Sequence, residues 1–161
     1  MERRKFIAAG LAGTSIACSR GARSAWRFFT VAEGRAIEAA CGHIIPVDRD
    51  PGAVEAGAAV FIDRQLTGHY KEYQTVYRNC IAALDRQSVA VFGRAFADAP
   101  PEVQLEVLKR IEQNPRTKPF FELLVAHTMQ GFYGSPRHGG NRGRASWKML
   151  GVAGPPVRGR A

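Results

Sequence analysis

Apolar side chains recur at helical spacing in the middle of this chain. They occupy positions i, i+3, i+4, i+7, i+8 and i+11 of one stretch, namely Tyr73, Val76, Tyr77, Cys80, Ile81 and Leu84. With about 3.6 residues per helical turn, this spacing places them on one face of a long amphipathic helix. No alternating apolar and polar pattern of useful length, typical of a half-buried strand, occurs in the chain. The sequence therefore predicts an all-α fold.

Capping residues and prolines mark further predicted helices. Thr30 and Glu33 have the spacing of a capping box, in which each side chain binds a backbone amide of the first helical turn. Pro101 and Pro119 fit the first turn of a helix, where proline is tolerated. With a short helix before the long one, these patterns predict a single domain of about five helices over residues 26–133.

The composition changes after this predicted domain. Between Gly131 and Pro156, glycine and proline are too frequent for a long helix, yet the apolar residues are too many for a free linker. These apolar residues are Phe132, Tyr133, Trp147, Met149, Leu150 and Val152. We therefore expect residues 134–161 to form an ordered, irregular extension that lies against an apolar surface.

The chain is strongly basic, and its basic residues are concentrated at the carboxyl end. The net charge is +9, and no acidic residue follows Glu122. The basic residues beyond it include Arg137, Arg142, Arg144, Lys148, Arg158 and Arg160. Such a balance favours an acidic partner, an anionic membrane surface or nucleic acid. Because no helix-turn-helix, zinc-finger or aromatic RNA-binding motif accompanies these residues, we expect no nucleic-acid partner.

The amino terminus has the pattern of an export signal. A basic cluster, Arg3 to Lys5, precedes an uncharged apolar run from Phe6 to Ala17. That run is shorter than the roughly 20 residues that span a bilayer, but it fits a cleavable signal. Four residues resemble the twin-arginine export motif: Arg3, Arg4, Phe6 and Ile7. We expect residues 1–25 to be a signal for the twin-arginine translocase and the protein to be periplasmic. The alternative is a basic, disordered amino terminus.

Small residues offer two cleavage sites for such a signal. Ser15-Ile16-Ala17 precedes Cys18, and Ala22-Arg23-Ser24 offers a second site. A cut before Cys18 would leave that cysteine open to lipidation. The mature chain is expected to begin between Cys18 and Trp26.

Two cysteines remain in the predicted helical domain. Cys41 and Cys80 form an even pair, which in an oxidising compartment could make one disulfide. Each also falls on an apolar helical stripe, where a free cysteine packs as a small hydrophobic residue. The sequence leaves both interpretations open.

The candidates for chemistry within the chain are few. His43, His69, His127 and His138 lack metal-ligand spacing, and no phosphate-binding glycine motif occurs. Asp63 with Asp85, and Glu33 with Glu38, are interpreted as carboxylates in surface ion pairs. His127, on an otherwise apolar helix, is interpreted as a half-buried, hydrogen-bonded residue. We therefore expect no catalytic, cofactor or metal site in this chain.

Several motifs together resemble the gluconate 2-dehydrogenase subunit 3 family. They are the T-x-x-E before HIIP, A-G-x-x-x-F-I-D from Ala56 to Asp63, Leu84-Asp85, and FFELL followed by T-x-x-G-F-Y. The most specific is HGGN-x-x-x-x-x-W-x-x-L-G, from His138 to Gly151. The resemblance extends over residues 28–155.

This resemblance implies a non-catalytic small subunit of an exported flavin-dependent dehydrogenase. Its partner would be a large FAD-binding subunit of the glucose-methanol-choline type that oxidises sugars, sugar acids or polyols. A cytochrome c subunit could accept the electrons and associate the complex with the membrane. In such complexes the large subunit can lack an export signal and travel with the small one. The substrate stays open, because the large subunit determines it.

The extension after the helical domain, called the tail below, forms the predicted contact with that partner together with the last residues of the preceding helix. The predicted interface residues are Phe132, Tyr133, Gly139, Gly140, Asn141, Arg142, Arg144 and Trp147. Trp147 would be the apolar anchor of this contact, because buried aromatic residues dominate many interfaces. One alternative is that Trp147 folds back onto the helices of its own chain. Another is a free-standing periplasmic ligand-binding or enzyme domain with a pocket between Tyr133 and Trp147.

Overall fold

The computed structural model describes residues 26–154, and within them it has helices and no strands. The all-α prediction is therefore confirmed for this part of the chain. Its α-helices are α1 Val31–Ile44, α2 Ala58–Leu66, α3 Gln74–Phe92, α4 Pro101–Gln113, α5 Lys118–Tyr133 and α6 Ala145–Met149. Short 3₁₀ helices occur at Lys71–Tyr73, Phe96–Asp98, Pro136–His138 and Arg142–Arg144. The predicted signal, residues 1–25 with Arg3, Arg4, Phe6, Ile7 and Cys18, lies outside the described residues.

Local signals fix the starts of several helices. Before α1, the Glu33 amide donates to Thr30 Oγ1 at 3.2 Å and the Thr30 amide donates to Glu33 Oε2 at 2.8 Å. This is the predicted capping box, and it satisfies two amides that the first turn leaves unpaired. Pro101 and Pro119 lie in the first turns of α4 and α5, as predicted.

The buried faces of α1 to α5 share one apolar core. Its largest side chains include Ile37, Ile62, Leu66, Tyr77, Leu84, Val107 and Leu124. The predicted stripe on α3 is narrower than expected, since Tyr77, Ile81 and Leu84 are buried whereas Val76 is 37% exposed. Val76 lies at the edge of the buried face, where the same helical spacing brings a residue to solvent.

The helices α2 and α5 approach each other closely at Gly131. A Cβ atom added at Gly131 would lie 3.0 Å from the Cα atom of Ala58 and 3.1 Å from its carbonyl oxygen. The absence of a side chain therefore lets the two backbones pack together. This contact places the carboxyl end of α5 beside the start of α2.

The tail is more regular than predicted. The sequence predicts about five helices and an irregular extension, whereas residues 134–154 contain α6 and two 3₁₀ helices. The high glycine and proline content suggested irregular structure, yet it is compatible with helices this short. Glycines in left-handed conformations connect one short helix to the next. Residues 155–161 of the predicted extension lie outside the described residues.

Both cysteines of the helical domain are free thiols in this structure. Cys41 is fully buried on α1, and its Sγ lies 3.3 Å from Thr128 Oγ1 of α5 in a hydrogen bond. Burial raises the pKa of the Cys41 thiol to about 12, so the group stays protonated and unreactive at neutral pH. Cys80 lies half-buried on α3, and of the two possibilities left open by the sequence the structure has the free thiols.

No helix within residues 26–154 is long and apolar enough to cross a membrane.

Candidate functional site

The tail closes the carboxyl end of α5 by capping its last carbonyl groups. An α-helix leaves its final carbonyls without partners inside the helix. Here three tail side chains supply the donors, each to a different carbonyl. Ser146 Oγ donates to the Phe132 carbonyl at 2.7 Å, and Trp147 Nε1 donates to the Tyr133 carbonyl at 2.9 Å. Asn141 Nδ2 donates to the Gly134 carbonyl at 2.9 Å.

Asn141 also organises the tail itself. Its side chain is fully buried, and its Oδ1 accepts a hydrogen bond from the Ser146 amide at 3.1 Å. Its backbone has a φ of 43°, in the left-handed region that asparagine tolerates better than most residues. Asn141 therefore joins the end of α5 to the start of α6.

The two glycines before Asn141 allow this close approach. Gly139 has a φ of +104°, and a Cβ there would lie 2.7 Å from Arg64 Cδ. A Cβ at Gly140 would lie 2.8 Å from the carbonyl carbon of Gly131 and closer still to its oxygen. Within this chain, the left-handed backbone explains Gly139, backbone packing explains Gly140, and helix capping explains Asn141.

The structure divides the predicted interface residues into two groups. Phe132, Gly139, Gly140 and Asn141 are buried inside the chain, so a partner cannot contact them in this fold. Tyr133, Arg142 and Arg144 are exposed, and Trp147 is half-buried against the end of α5. Trp147 makes the contact with its own chain that the fold-back alternative expects, while part of its ring stays accessible. The physical reason for this contact is that the indole N–H donates a hydrogen bond to the Tyr133 carbonyl, which has no partner within α5.

An exposed basic and apolar surface remains around α6. We define the α6 surface as Arg144, Lys148, Met149, Leu150 and Val152, all of which are exposed. The three apolar side chains expose 37%, 55% and 53% of their area. Within residues 26–154, neither Arg144 nor Lys148 forms an ion pair. Both charges are therefore open to an outside partner.

A concavity of about 350 Å³ adjoins the α6 surface. Its lining includes Pro51, Arg142, Ala145, Lys148 and Met149, with Asp50 as the acidic residue. The concavity thus combines two cationic side chains with apolar walls.

Arg142 has a fixed position at this concavity. Its amide donates to the Ala56 carbonyl at 3.0 Å, and its side chain covers Gly57, where a Cβ would lie 2.6 Å from Arg142 Nε. Burial raises the pKa of the nearby Glu38 carboxyl, and the charge of Arg142 partly opposes that shift. Arg142 therefore serves the fold of its own chain as well as the surface.

A protein-family model described as Gluconate 2-dehydrogenase subunit 3 matches residues 32–154. The chain belongs to the gluconate 2-dehydrogenase subunit 3 family. No significant match is found among curated proteins or among solved structures. Members of this family are, as the description says, subunits of a dehydrogenase, which implies a partner subunit and is consistent with an accessory role for this chain.

Asp63, the last residue of the F-I-D stretch in this chain, holds segment 26–30 in place. Its side chain is 1% exposed, and its carboxylate accepts hydrogen bonds from the amides of Arg27, Phe28 and Phe29. The distances are 2.7, 2.9 and 3.0 Å. The prediction of a surface ion pair was therefore wrong for Asp63. Its position on the buried face of α2, four residues after Ala59 and three before Leu66, was the signal that sequence reasoning missed.

A second group of contacts fixes the same segment from α3. Arg78 lies over the Phe28 ring at 4.3 Å from its centroid, donates to the Phe28 carbonyl at 2.9 Å and forms an ion pair with Glu33. The hydrogen bonds from Arg78 and Thr30 lower the pKa of the Glu33 carboxyl against the opposing effect of burial, which is the largest single influence. Segment 26–30 is therefore held from both α2 and α3.

Asp85, the other member of the predicted carboxylate pair, also binds backbone rather than a cation. Its Oδ1 accepts a hydrogen bond from the Phe96 amide at 2.9 Å. The two carboxylates thus act separately, as acceptors for loop amides. Among residues 26–154, no group of three or more His, Cys, Asp or Glu residues has an arrangement that could hold a metal ion.

His127 lies in an aromatic cluster between α3 and α5. It is 3% exposed, its Nδ1 is hydrogen-bonded to the Tyr77 hydroxyl at 2.9 Å, and its ring stacks on Tyr70 at 4.2 Å. The hydrogen-bonded environment was predicted, although the burial is deeper than expected. Burial lowers the pKa of His127 to about 4, with a small opposing influence from Glu72.

The low pKa of His127 predicts a loss of stability in mild acid. Unfolded histidine binds its proton near pH 6.5, so between that pH and about 4 the unfolded chain binds a proton that the folded chain excludes. We expect the free energy of unfolding to fall by about 2 kcal/mol from pH 7 to pH 5 through this residue. Urea titrations at both pH values measure it. The same pH dependence in His127→Phe would show that another group is responsible.

Proposed function

We propose that this chain is the non-catalytic small subunit of a periplasmic flavin-dependent sugar or sugar-acid dehydrogenase. In this role it is needed for export and maturation of the FAD-binding catalytic subunit. The family match over residues 32–154 carries the proposal. The arginine pair at positions 3 and 4, before an apolar run, supports the export role.

The proposed division of labour places the chemistry on the partner. FAD, the sugar or sugar-acid site and the oxidation step belong to a large subunit of the glucose-methanol-choline type, which could pass electrons to a cytochrome c subunit. In this chain, the buried polar groups of Asp63, Cys41 and His127 are bonded within the fold. Such groups stabilise a scaffold, which is what an accessory subunit requires.

A free-standing ligand-binding or enzyme domain is the weaker alternative. That alternative used the region from Tyr133 to Trp147 as a pocket. In the structure the Trp147 indole binds the Tyr133 carbonyl, and the backbone of Gly154 passes so near it that a Cβ there would lie 2.5 Å from Trp147 Cζ3. These contacts fill the space next to the Trp147 ring, so that the concavity beside Arg142 and Lys148 is what remains open in this region.

Replacing the arginine pair tests the proposal. In Arg3→Lys with Arg4→Lys, we expect this chain and the flavoprotein to stay in the cytoplasm, because the motif requires arginine and not charge alone. Cell fractionation followed by immunoblotting and a dye-linked sugar dehydrogenase assay measures both proteins. Arg20→Lys with Arg23→Lys is the matched control, since it makes the same exchange outside the motif. Normal periplasmic dehydrogenase activity in the first variant would contradict the proposal.

A further inference from the structure

We propose that the α6 surface, with its adjoining concavity, is where this subunit binds the dehydrogenase, and that it takes a partner segment carrying carboxylates around an apolar side chain. This inference rests on the proposed function, which supplies the partner. It differs from the interface predicted from the sequence, because the buried part of the tail motif serves the chain's own fold. The binding surface is the part of the tail that remains exposed.

The first support is the fixed position of the α6 surface. Ser146 and Trp147, both in α6, are bonded to the carboxyl end of α5, and Asn141 joins that end to the Ser146 amide. Because these bonds tie α6 to the core, Lys148 and Met149 are presented by a rigid element. A preorganised surface binds with a smaller loss of conformational entropy than a mobile one.

Charge gives the second support. Arg144 and Lys148 lie on the α6 surface without ion-pair partners among residues 26–154, and Arg142 lines the concavity beside Lys148. Arg144 also has a backbone φ of 59°, in the left-handed region that costs a non-glycine residue free energy. The acidic residue at the concavity is Asp50, which leaves a net positive surface. Carboxylates on the partner would complement it.

The exposed apolar residues and the concavity of the α6 surface indicate the other features that the partner segment should have. Met149, Leu150 and Val152 are exposed within four consecutive positions of the chain, and Met149 also lines the concavity. An inserted apolar side chain with a polar rim is the usual anatomy of a protein–protein contact. A flat anionic membrane would not enter the concavity, and α6 has only five residues, too few for an interfacial amphipathic helix. These features favour a protein partner.

Charge reversal on the α6 surface tests this assignment. The tagged full-length chain is produced in its native host, and the flavin absorbance and dehydrogenase activity that co-purify with it are measured. For Arg144→Glu with Lys148→Glu we expect recovered flavin to fall on the order of tenfold relative to the unmodified chain. Lys109→Glu with Arg116→Glu is the matched control, since both residues are exposed and unpaired within residues 26–154 and the charge change is equal.

An apolar pair gives a second, independent test. Met149→Ser with Leu150→Ser is expected to lose the flavoprotein, whereas Val89→Ser with Phe92→Ser, which alters exposed apolar residues at the end of α3, is expected to keep it. Circular dichroism of each purified variant checks that its helices are intact. Retention of flavin by both α6 variants, or loss only in the α3 variant, would overturn the assignment.

Two further outcomes separate this inference from the proposed function. If the unmodified chain brings down no flavoprotein, the proposed function fails and the inference fails with it. The second outcome comes from sedimentation of the chain with phosphatidylglycerol vesicles, which measures membrane binding. If Arg144→Glu with Lys148→Glu abolishes vesicle binding but leaves flavin recovery unchanged, the α6 surface faces a membrane and the inference is wrong, while the proposed function stands.

Discussion

Replacing Asp63 with alanine is expected to lower the free energy of unfolding by about 4 kcal/mol, since a buried acceptor of several hydrogen bonds is lost at once. In the folded chain its carboxylate accepts from the amides of Arg27, Phe28 and Phe29. Without the carboxylate, either these three amides stay unpaired or segment 26–30 detaches from α2. Urea unfolding followed by circular dichroism measures the change.

A second readout distinguishes release of the segment from general loss of stability. Under native conditions trypsin should cleave after Arg27 faster in Asp63→Ala than in the unmodified chain, because the segment is no longer bound. Asp98→Ala is the matched control, since Asp98 forms an exposed ion pair with Arg35 and its loss should cost about 0.5 kcal/mol. Equal effects of the two substitutions would refute the anchoring role of Asp63.

Replacing Gly140 with alanine is expected to destabilise the chain by about 3 kcal/mol through overpacking against backbone. The added Cβ would meet the Gly131 carbonyl, and neither backbone can move without cost, because Gly131 itself packs on Ala58. We expect the tail to shift away from α5, so that the donors from Asn141 and Trp147 no longer reach their carbonyls. Chemical unfolding measures the stability, and quenching of tryptophan fluorescence measures the exposure of the indoles.

Gly68→Ala provides the comparison for this substitution. A Cβ at Gly68 would lie 3.7 Å from the carbonyl oxygens of Arg64 and Gln65, an ordinary contact distance. Its stability should therefore change by less than about 0.5 kcal/mol. If Gly140→Ala is as mild as Gly68→Ala, the close packing of the tail on α5 is not what requires glycine there.

Several elements of the fold were predictable because their signals are local. The capping box of Thr30 and Glu33, the prolines that open α4 and α5, and the periodicity of α3 each act over one or a few helical turns. A local pattern can be read from adjacent residues alone. The width of the buried stripe on α3 was not predictable, since the packing of neighbouring helices determines which edge residue, here Val76, meets solvent.

The sequence by itself determined the helical class of the described residues, the starts of α1, α4 and α5, and the resemblance to the family that the match over residues 32–154 supports. Only the tertiary structure decided what the motifs behind that resemblance do. The amides that donate to Asp63 lie 34 to 36 residues away in the sequence, and the Tyr133 carbonyl that accepts from Trp147 lies 14 residues away. No local spacing specifies such pairs, because the folded core brings them together. For the same reason, two glycines and an asparagine predicted to face a partner are buried within the chain: Gly139 lies against Arg64 of α2, Gly140 packs on α5, and Asn141 caps α5.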